Sequence, residues 1–145
     1  MEKKKYRKGV FVVLYSKDKD HIEYLLFKRH KHWKGWEFAK GGCEAKETYR
    51  KCILREVREE TGLKAKKIEW YCKKGKYKWK KGLKDRPGFI GQTYILSSCE
   101  IPKKKIKIDK KEHSSYKWVD YKTALKMLTY PNQKACLRIV NSRLV

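Results

Sequence analysis

Hydrophobic positions along this chain change period as it proceeds. Residues 9–16, GVFVVLYS, form an almost unbroken apolar and β-branched run. Such a run reads as a buried strand. Residues 22–28, IEYLLFK, read as a second strand. The polar KDKD at 17–20 is the turn that joins the two into a hairpin. Residues 66–71 and 88–97 are further strand candidates, the second (GFIGQTYILS) rich in core-forming residues. Around Ile53, Leu54 and Val57 the spacing becomes helical, with an apolar side that can bury against a sheet. Asp120 can cap a helix that opens at Tyr121, and TYPN at 129–132 breaks it. A terminal helix follows over 133–143, with Ala135, Leu137, Ile139 and Val140 near the core. Mixed strands and helices in this order predict an α/β fold with a mixed sheet between helices. A length of 145 residues suits one domain spanning 1–145.

The polar side of the first helix changes the picture. Glu56, Glu59 and Glu60 stand at i, i+3 and i+4, on one face. Carboxylates crowded on one exposed face repel, and a helix gains nothing from that. A hard divalent cation such as Mg²⁺ would remove the repulsion, because it takes oxygen ligands and bridges carboxylates to phosphate. Arg55 is placed to pair with Glu59 four residues on. Thr48 is a candidate N-cap. Gly62 stands where a helix ends in a left-handed residue, and Leu63 follows as its apolar contact.

From Gly41 to Leu63 the chain resembles the Nudix hydrolase signature. Gly41, Glu47, Arg55, Glu56, Val57, Glu59, Glu60, Gly62 and Leu63 occupy every fixed position of that pattern. The segment Trp36-Glu37-Phe38-Ala39-Lys40-Gly41-Gly42 is similar to the strand and turn that precede the helix in the family. Ala39 stands where the family usually has Pro, and Lys46 where it often has Gly. The resemblance implies a Nudix α/β/α sandwich. It further implies Mg²⁺ or Mn²⁺ held by Glu56, Glu59, Glu60 and a backbone carbonyl of Lys40 or Gly41. Arg55 would orient the glutamates, and Glu47 would be a structural or outer carboxylate. Glu112, just ahead of an aromatic-x-Trp strand, resembles an extra carboxylate that relatives use for metal or as general base. Glu59 and Glu112 are thus the two candidate bases. His113 beside Glu112 is expected to be an exposed loop residue.

Lys40 could meet a phosphate or lie in solvent. Tyr77 and Trp79 alternate with Lys76, Lys78 and Lys80, an arrangement that suits a stacked base beside a paired phosphate. The same alternation suits an edge strand with its aromatics on the core, which is the favoured expectation. Tyr130 is a weaker candidate near the substrate. The formal net charge of +24 draws polyanions and speeds their arrival without bearing on the fold. It admits nucleotides and RNA as partners. The resemblance implies hydrolysis of a nucleoside diphosphate linked to another moiety. Trp-x-Phe-x-Lys-Gly-Gly and Glu-His-x-x-Tyr-x-Trp-Val resemble dinucleoside polyphosphate hydrolases most, with diadenosine tetraphosphate as the example. Enzymes that trim pyrophosphate from RNA 5′ ends share similar segments and come next. Nucleoside triphosphates and nucleotide sugars remain open, as does a non-catalytic nucleic-acid-binding module on the same scaffold.

Five cysteines, at 43, 52, 72, 99 and 136, show no CxxC and no paired spacing. Their odd number argues against a disulfide framework and fits a reducing, cytoplasmic setting. Cys52 reads as a small core residue. The basic N-terminus precedes an apolar run too short to span a membrane.

Overall fold

The computed structural model describes residues 5–80, 83 and 85–145. Parts of the basic N-terminus (1–4) and of the lysine-rich segment (81, 82 and 84) lie outside them. In chain order the elements are β1 (Lys5–Arg7), β2 (Gly9–Asp18), β3 (His21–Arg29), β4 (Gly35–Glu37) and β5 (Ala39–Gly42). After them come α1 (Tyr49–Thr61), β6 (Ile68–Lys78), β7 (Phe89–Glu100), β8 (His113–Val119), α2 (Tyr121–Met127) and α3 (Pro131–Leu144).

β2 sets the layers. Its side chains alternate between two cores, and all of them from Val10 to Tyr15 are buried. Val10, Val12 and Leu14 join Leu25 and Phe27 of β3 against Cys52, Ile53 and Val57 of α1. Phe11, Val13 and Tyr15 join Tyr24 and Leu26 against Ala124, Leu128, Cys136, Leu137 and Val140, from α2, its C-terminal cap and α3. A strand with helices on both sides must be apolar on both faces, which is why its sequence shows a run and no alternation. Each fully buried aliphatic side chain contributes about 1.5–3 kcal/mol of transfer free energy. The result is the α/β/α sandwich with a mixed sheet. β7 runs parallel to β1 and β2, while β2 is antiparallel to β3 and β5. β6 is antiparallel to β7, and β8 to β3.

Local signals hold where a side chain meets its own neighbourhood. Thr48 caps α1 by accepting from the Lys51 amide, and Asp120 caps α2 by accepting from the Thr123 amide. Gly62 closes α1 at φ 75°. Two expectations need correction. The strand expected over 66–71 and the aromatic-lysine stretch as far as Lys78 are one long strand, β6, with a register irregularity between Trp70 and Lys74. The cysteines do pair once: Cys43 and Cys52 form a disulfide, with Cα atoms 5.3 Å apart. The chain leaves β5 at Gly42 and doubles back onto α1, so Cys43 and Cys52 come within bridging reach although they stand nine residues apart. Cys52 is also fully buried, as a core residue would be. No helix among the described residues is long and apolar enough to cross a membrane.

Candidate active site

β5 and α1 meet at a narrow acidic cleft. Its lining includes Gly41, Glu56, Glu59, Glu60, Asp109 and Glu112, with Arg7, Arg29, Arg86 and Lys40 around them. The free space is about 60 Å³, enough for ions and water and too little for a nucleotide. α1 presents its glutamates here because its opposite face is held by Ile53 and Val57 in the core. The three carboxylates are not on one exposed face, in contrast to the expectation from helical spacing. Glu56 and Glu60 are buried, and Glu59 alone is open to solvent. The reason is tertiary: Gly41 of β5 lies against the Glu56 carboxyl, and His113 of β8 against that of Glu60.

Arg55 sits behind the glutamates and does not line the cleft. Its guanidinium donates to Glu47 at 2.8 Å from both Nε and Nη2, to Glu56 at 3.1 Å, to Glu59 at 3.3 Å and to the Gly42 carbonyl at 3.0 Å. Glu47 closes the loop by accepting from the Glu44 amide. The Arg55 bonds hold the Glu47 carboxyl down near 2. Glu56 behaves oppositely. Burial, and then the neighbouring Glu60 charge, push its carboxyl up to about 8 against the pull of Arg55.

The largest departure concerns His113. It is buried, not an exposed loop residue. Its Nε2 lies 3.0 Å from Glu37 and its Nδ1 2.8 Å from Glu60. Glu37 in turn is held by Arg29 at 3.1 Å and Lys40 at 3.5 Å. Burial alone would raise the Glu37 carboxyl, but Lys40, His113 and Arg29 outweigh it and hold it near 2. Burial would likewise lower the His113 imidazole, yet its two carboxylate neighbours raise it to about 9. Lys40 is buried too, so its ammonium is not solvated. Burial brings it down to about 8 although Glu37 supports the charged form. Sequence reasoning passed over Glu37, Arg29 and Arg86. The available signal was a charged Glu37 inside the apolar run Trp36-Glu37-Phe38, since a buried charge requires a partner.

A second, wider cavity of about 540 Å³ adjoins the cleft and shares Trp33, Lys40 and Tyr77 with it. Phe11, Trp79, Tyr130, Asn132 and Gln133 complete much of its wall. Tyr77 stacks on Phe11 with ring centroids 5.9 Å apart, so this aromatic of β6 does rest on the core. Tyr77 and Trp79 also face this cavity. Tyr77, Trp79, Tyr130 and Lys40 are thereby brought together, and only Lys40 and Tyr77 among them reach the acidic cleft. The cavity size lies in the range that accepts a small ligand.

The donor set suits a hard divalent cation. The acidic side chains of the cleft, Glu56, Glu59, Glu60, Asp109 and Glu112, offer carboxylate oxygens. Glu60, Glu112 and His113 place a ligand-capable atom each within 4.8 Å of one another. Glu60 Oε2 is buried and, although close to His113, makes no well-aligned hydrogen bond. A Cβ on Gly41 would overlap the Glu56 carboxyl, so a bare backbone is needed for that carboxylate to lie against the turn. The Gly41 carbonyl already accepts from Gln92 Nε2 at 3.2 Å and keeps a second lone pair.

Comparison with known proteins agrees with this arrangement. The model of the NUDIX domain matches residues 5–138. An RNA pyrophosphohydrolase of a Nitratiruptor species is 34% identical over 141 residues, covering 90% of this chain and 88% of the relative. A Listeria monocytogenes protein assigned as a NUDIX hydrolase superposes with a TM-score of 0.78 at 22% identity, covering 94% of this chain and 92% of its own. The C. elegans Ap4A hydrolase superposes with a TM-score of 0.73 at 23% identity, covering 95% and 97%. The two superpositions speak for the fold; the domain match over nearly the whole length speaks for descent. The chain belongs to the NUDIX domain family and is a Nudix hydrolase.

Proposed function

We propose that this Nudix hydrolase uses Mg²⁺ or Mn²⁺ to cleave a phosphoanhydride bond at the 5′ end of triphosphorylated RNA. The observation that carries the reading is the junction of two unlike spaces at Lys40 and Tyr77: an acidic floor ringed by arginines, opening beside an aromatic cavity of about 540 Å³, roomy enough for a nucleobase. The name of the Nitratiruptor relative and the net charge of +24 support RNA over smaller substrates.

Glu56, Glu59 and Glu60 would hold the cation, with Glu112 and a carbonyl of Lys40 or Gly41 as further donors. A bound divalent ion supplies neutralisation of phosphate oxygens and a more acidic water. Glu59 or Glu112 accepts the proton of the attacking water. Glu59 is the more accessible, and Glu112 the nearer to Arg29, at 3.8 Å. Arg7, Arg29 and Arg86 face the charge that builds on the phosphates, and all three line the cleft. Arg55 and Glu47 keep the carboxylates in place from behind. Tyr77, Trp79 and Tyr130 offer stacking surfaces to a base, and Lys40 stands at the border between base and phosphates.

A second reading is hydrolysis of a dinucleoside polyphosphate such as diadenosine tetraphosphate. It is favoured by the Glu112-His113-x-x-Tyr116-x-Trp118 spacing. Nucleoside triphosphates follow, and a non-catalytic nucleic-acid-binding module is the reading of another class. One panel separates them: Mg²⁺-dependent release of phosphate or pyrophosphate from triphosphorylated RNA, capped RNA, diadenosine tetraphosphate and nucleoside triphosphates. Preferred release from triphosphorylated RNA is expected. Preference for diadenosine tetraphosphate would install the second reading, and RNA binding without release would install the module.

A further inference from the structure

One face of β6 has no role in the site. From Trp70 to Lys80 every second residue is exposed: Trp70, Cys72, Lys74, Lys76, Lys78 and Lys80. The intervening Tyr71 and Trp79 are buried, and Tyr77 is half-buried against Phe11. β6 pairs with β7 and with no other strand among the described residues, and at its Trp70 end Arg143 donates to the Trp70 carbonyl at 2.9 Å. Side chains two apart on a strand stand about 6.6–6.8 Å from one another. Lys74, Lys76 and Lys78 therefore form a line of regularly placed positive charge, which Lys80 continues just past the end of the strand. Among the described residues the ion-paired lysines are Lys31, Lys40 and Lys103, which leaves the line without carboxylate partners. At one end Lys78 and Lys80 also line the aromatic cavity. At the other stands Trp70, 39% exposed and the only Phe, Tyr or Trp that open among the described residues.

Lysines on an edge strand guard against pairing with other chains. That function explains a charge or two. It does not call for an exposed tryptophan further along the same strand, nor for a row that begins at the cavity wall. Regular cations with an aromatic platform are what non-sequence-specific binding of a single strand requires, since phosphates pair with the first and bases stack on the second.

We propose that the exposed face of β6 is a track for the body of a single-stranded RNA whose 5′ end occupies the cleft. The inference rests on the reading of the substrate as RNA. The strand leaves the aromatic cavity past Lys80 and Lys78, crosses Lys76 and Lys74, and stacks a base on Trp70. A dinucleoside polyphosphate is too short to use this face.

The test measures binding of a short fluorescent 5′-hydroxyl oligoribonucleotide, which has no 5′ phosphoanhydride to cleave, by anisotropy across a salt series. Lys74→Gln/Lys76→Gln should weaken binding and lower the slope of log K against log salt by about 1.4, because each lysine–phosphate pairing on a single strand adds about 0.7. Lys122→Gln/Lys126→Gln on α2, with the same change of charge, should leave the slope as in the wild type. Trp70→Ala should weaken binding about tenfold with little change of slope. An equal fall of slope in the α2 variant, an unchanged slope in the β6 variant, or equally salt-dependent binding of polyglutamate would overturn the track. Failure to hydrolyse triphosphorylated RNA, with β6-dependent binding of the 5′-hydroxyl strand intact, would sink the substrate assignment and leave the track standing.

Discussion

His113 Nδ1 lies 2.8 Å from a carboxylate oxygen of Glu60, and the ring's other nitrogen is 3.0 Å from Glu37. The imidazole is a buried strut between a carboxylate on β4 and one on the acidic turn of α1. The close contact fixes which way the Glu60 carboxylate faces.

Removing that strut has two consequences. His113→Ala leaves two buried carboxylates without their shared partner, at a cost of about 3–5 kcal/mol. It also frees Glu60 to rotate, so Mn²⁺ affinity should fall roughly 10–100-fold. Urea unfolding and calorimetric titration with Mn²⁺ measure the two effects. His113→Gln, which keeps one hydrogen bond, should recover part of each. Undiminished Mn²⁺ affinity in a destabilised His113→Ala protein would reduce the residue to a packing role.

Gly41→Ala separates stability from activity. Gly41 does not adopt a positive φ, so alanine imposes no backbone strain. Its methyl group would occupy the space of the Glu56 carboxyl, a flexible side-chain end that can swing away. The melting temperature should change little while turnover falls about 10²-fold, the usual consequence of a misplacement near 1 Å. A fully active Gly41→Ala enzyme would show that Glu56 need not lie against the turn.

Much of this was legible in the sequence because the relevant distances along the chain are short. Thr48 and Gly62 cap α1, and helical spacing puts Glu56, Glu59 and Glu60 on one side of it, while β5 and β8 decide which of the three are buried. Asp120 announces α2 in the same way. His113 could not be read so, because its environment is Glu37, 76 residues earlier, brought beside it by pairing of β8 and β4 with β3. The Cys43–Cys52 bond depended on the path of the chain between β5 and α1, which cysteine spacing does not encode. Trp79 and Tyr130 converge on one cavity only through tertiary packing.

Acid stability reports on the pair behind the glutamates. Arg55 holds the Glu47 carboxyl near 2, below its ordinary 4.5. A depressed carboxylate stabilises the fold fully above its unfolded value and loses that contribution as protons bind to the native state. The Glu47 contribution is therefore present above about pH 4.5 and disappears as pH falls towards 2. Glu47→Gln should lower stability at neutral pH and flatten the acid limb of a stability-against-pH curve. Parallel curves for variant and wild type through that window would mean that the pair adds nothing.

The most direct measurement is turnover of Glu59→Gln with Mg²⁺ and triphosphorylated RNA. Glu59 is exposed, so the substitution should leave the melting temperature near that of the wild type. If the acidic turn of α1 holds divalent cations against a phosphate chain, the rate should fall by several powers of ten in a folded protein. Wild-type-like turnover from the same purified variant would remove that turn from the chemistry.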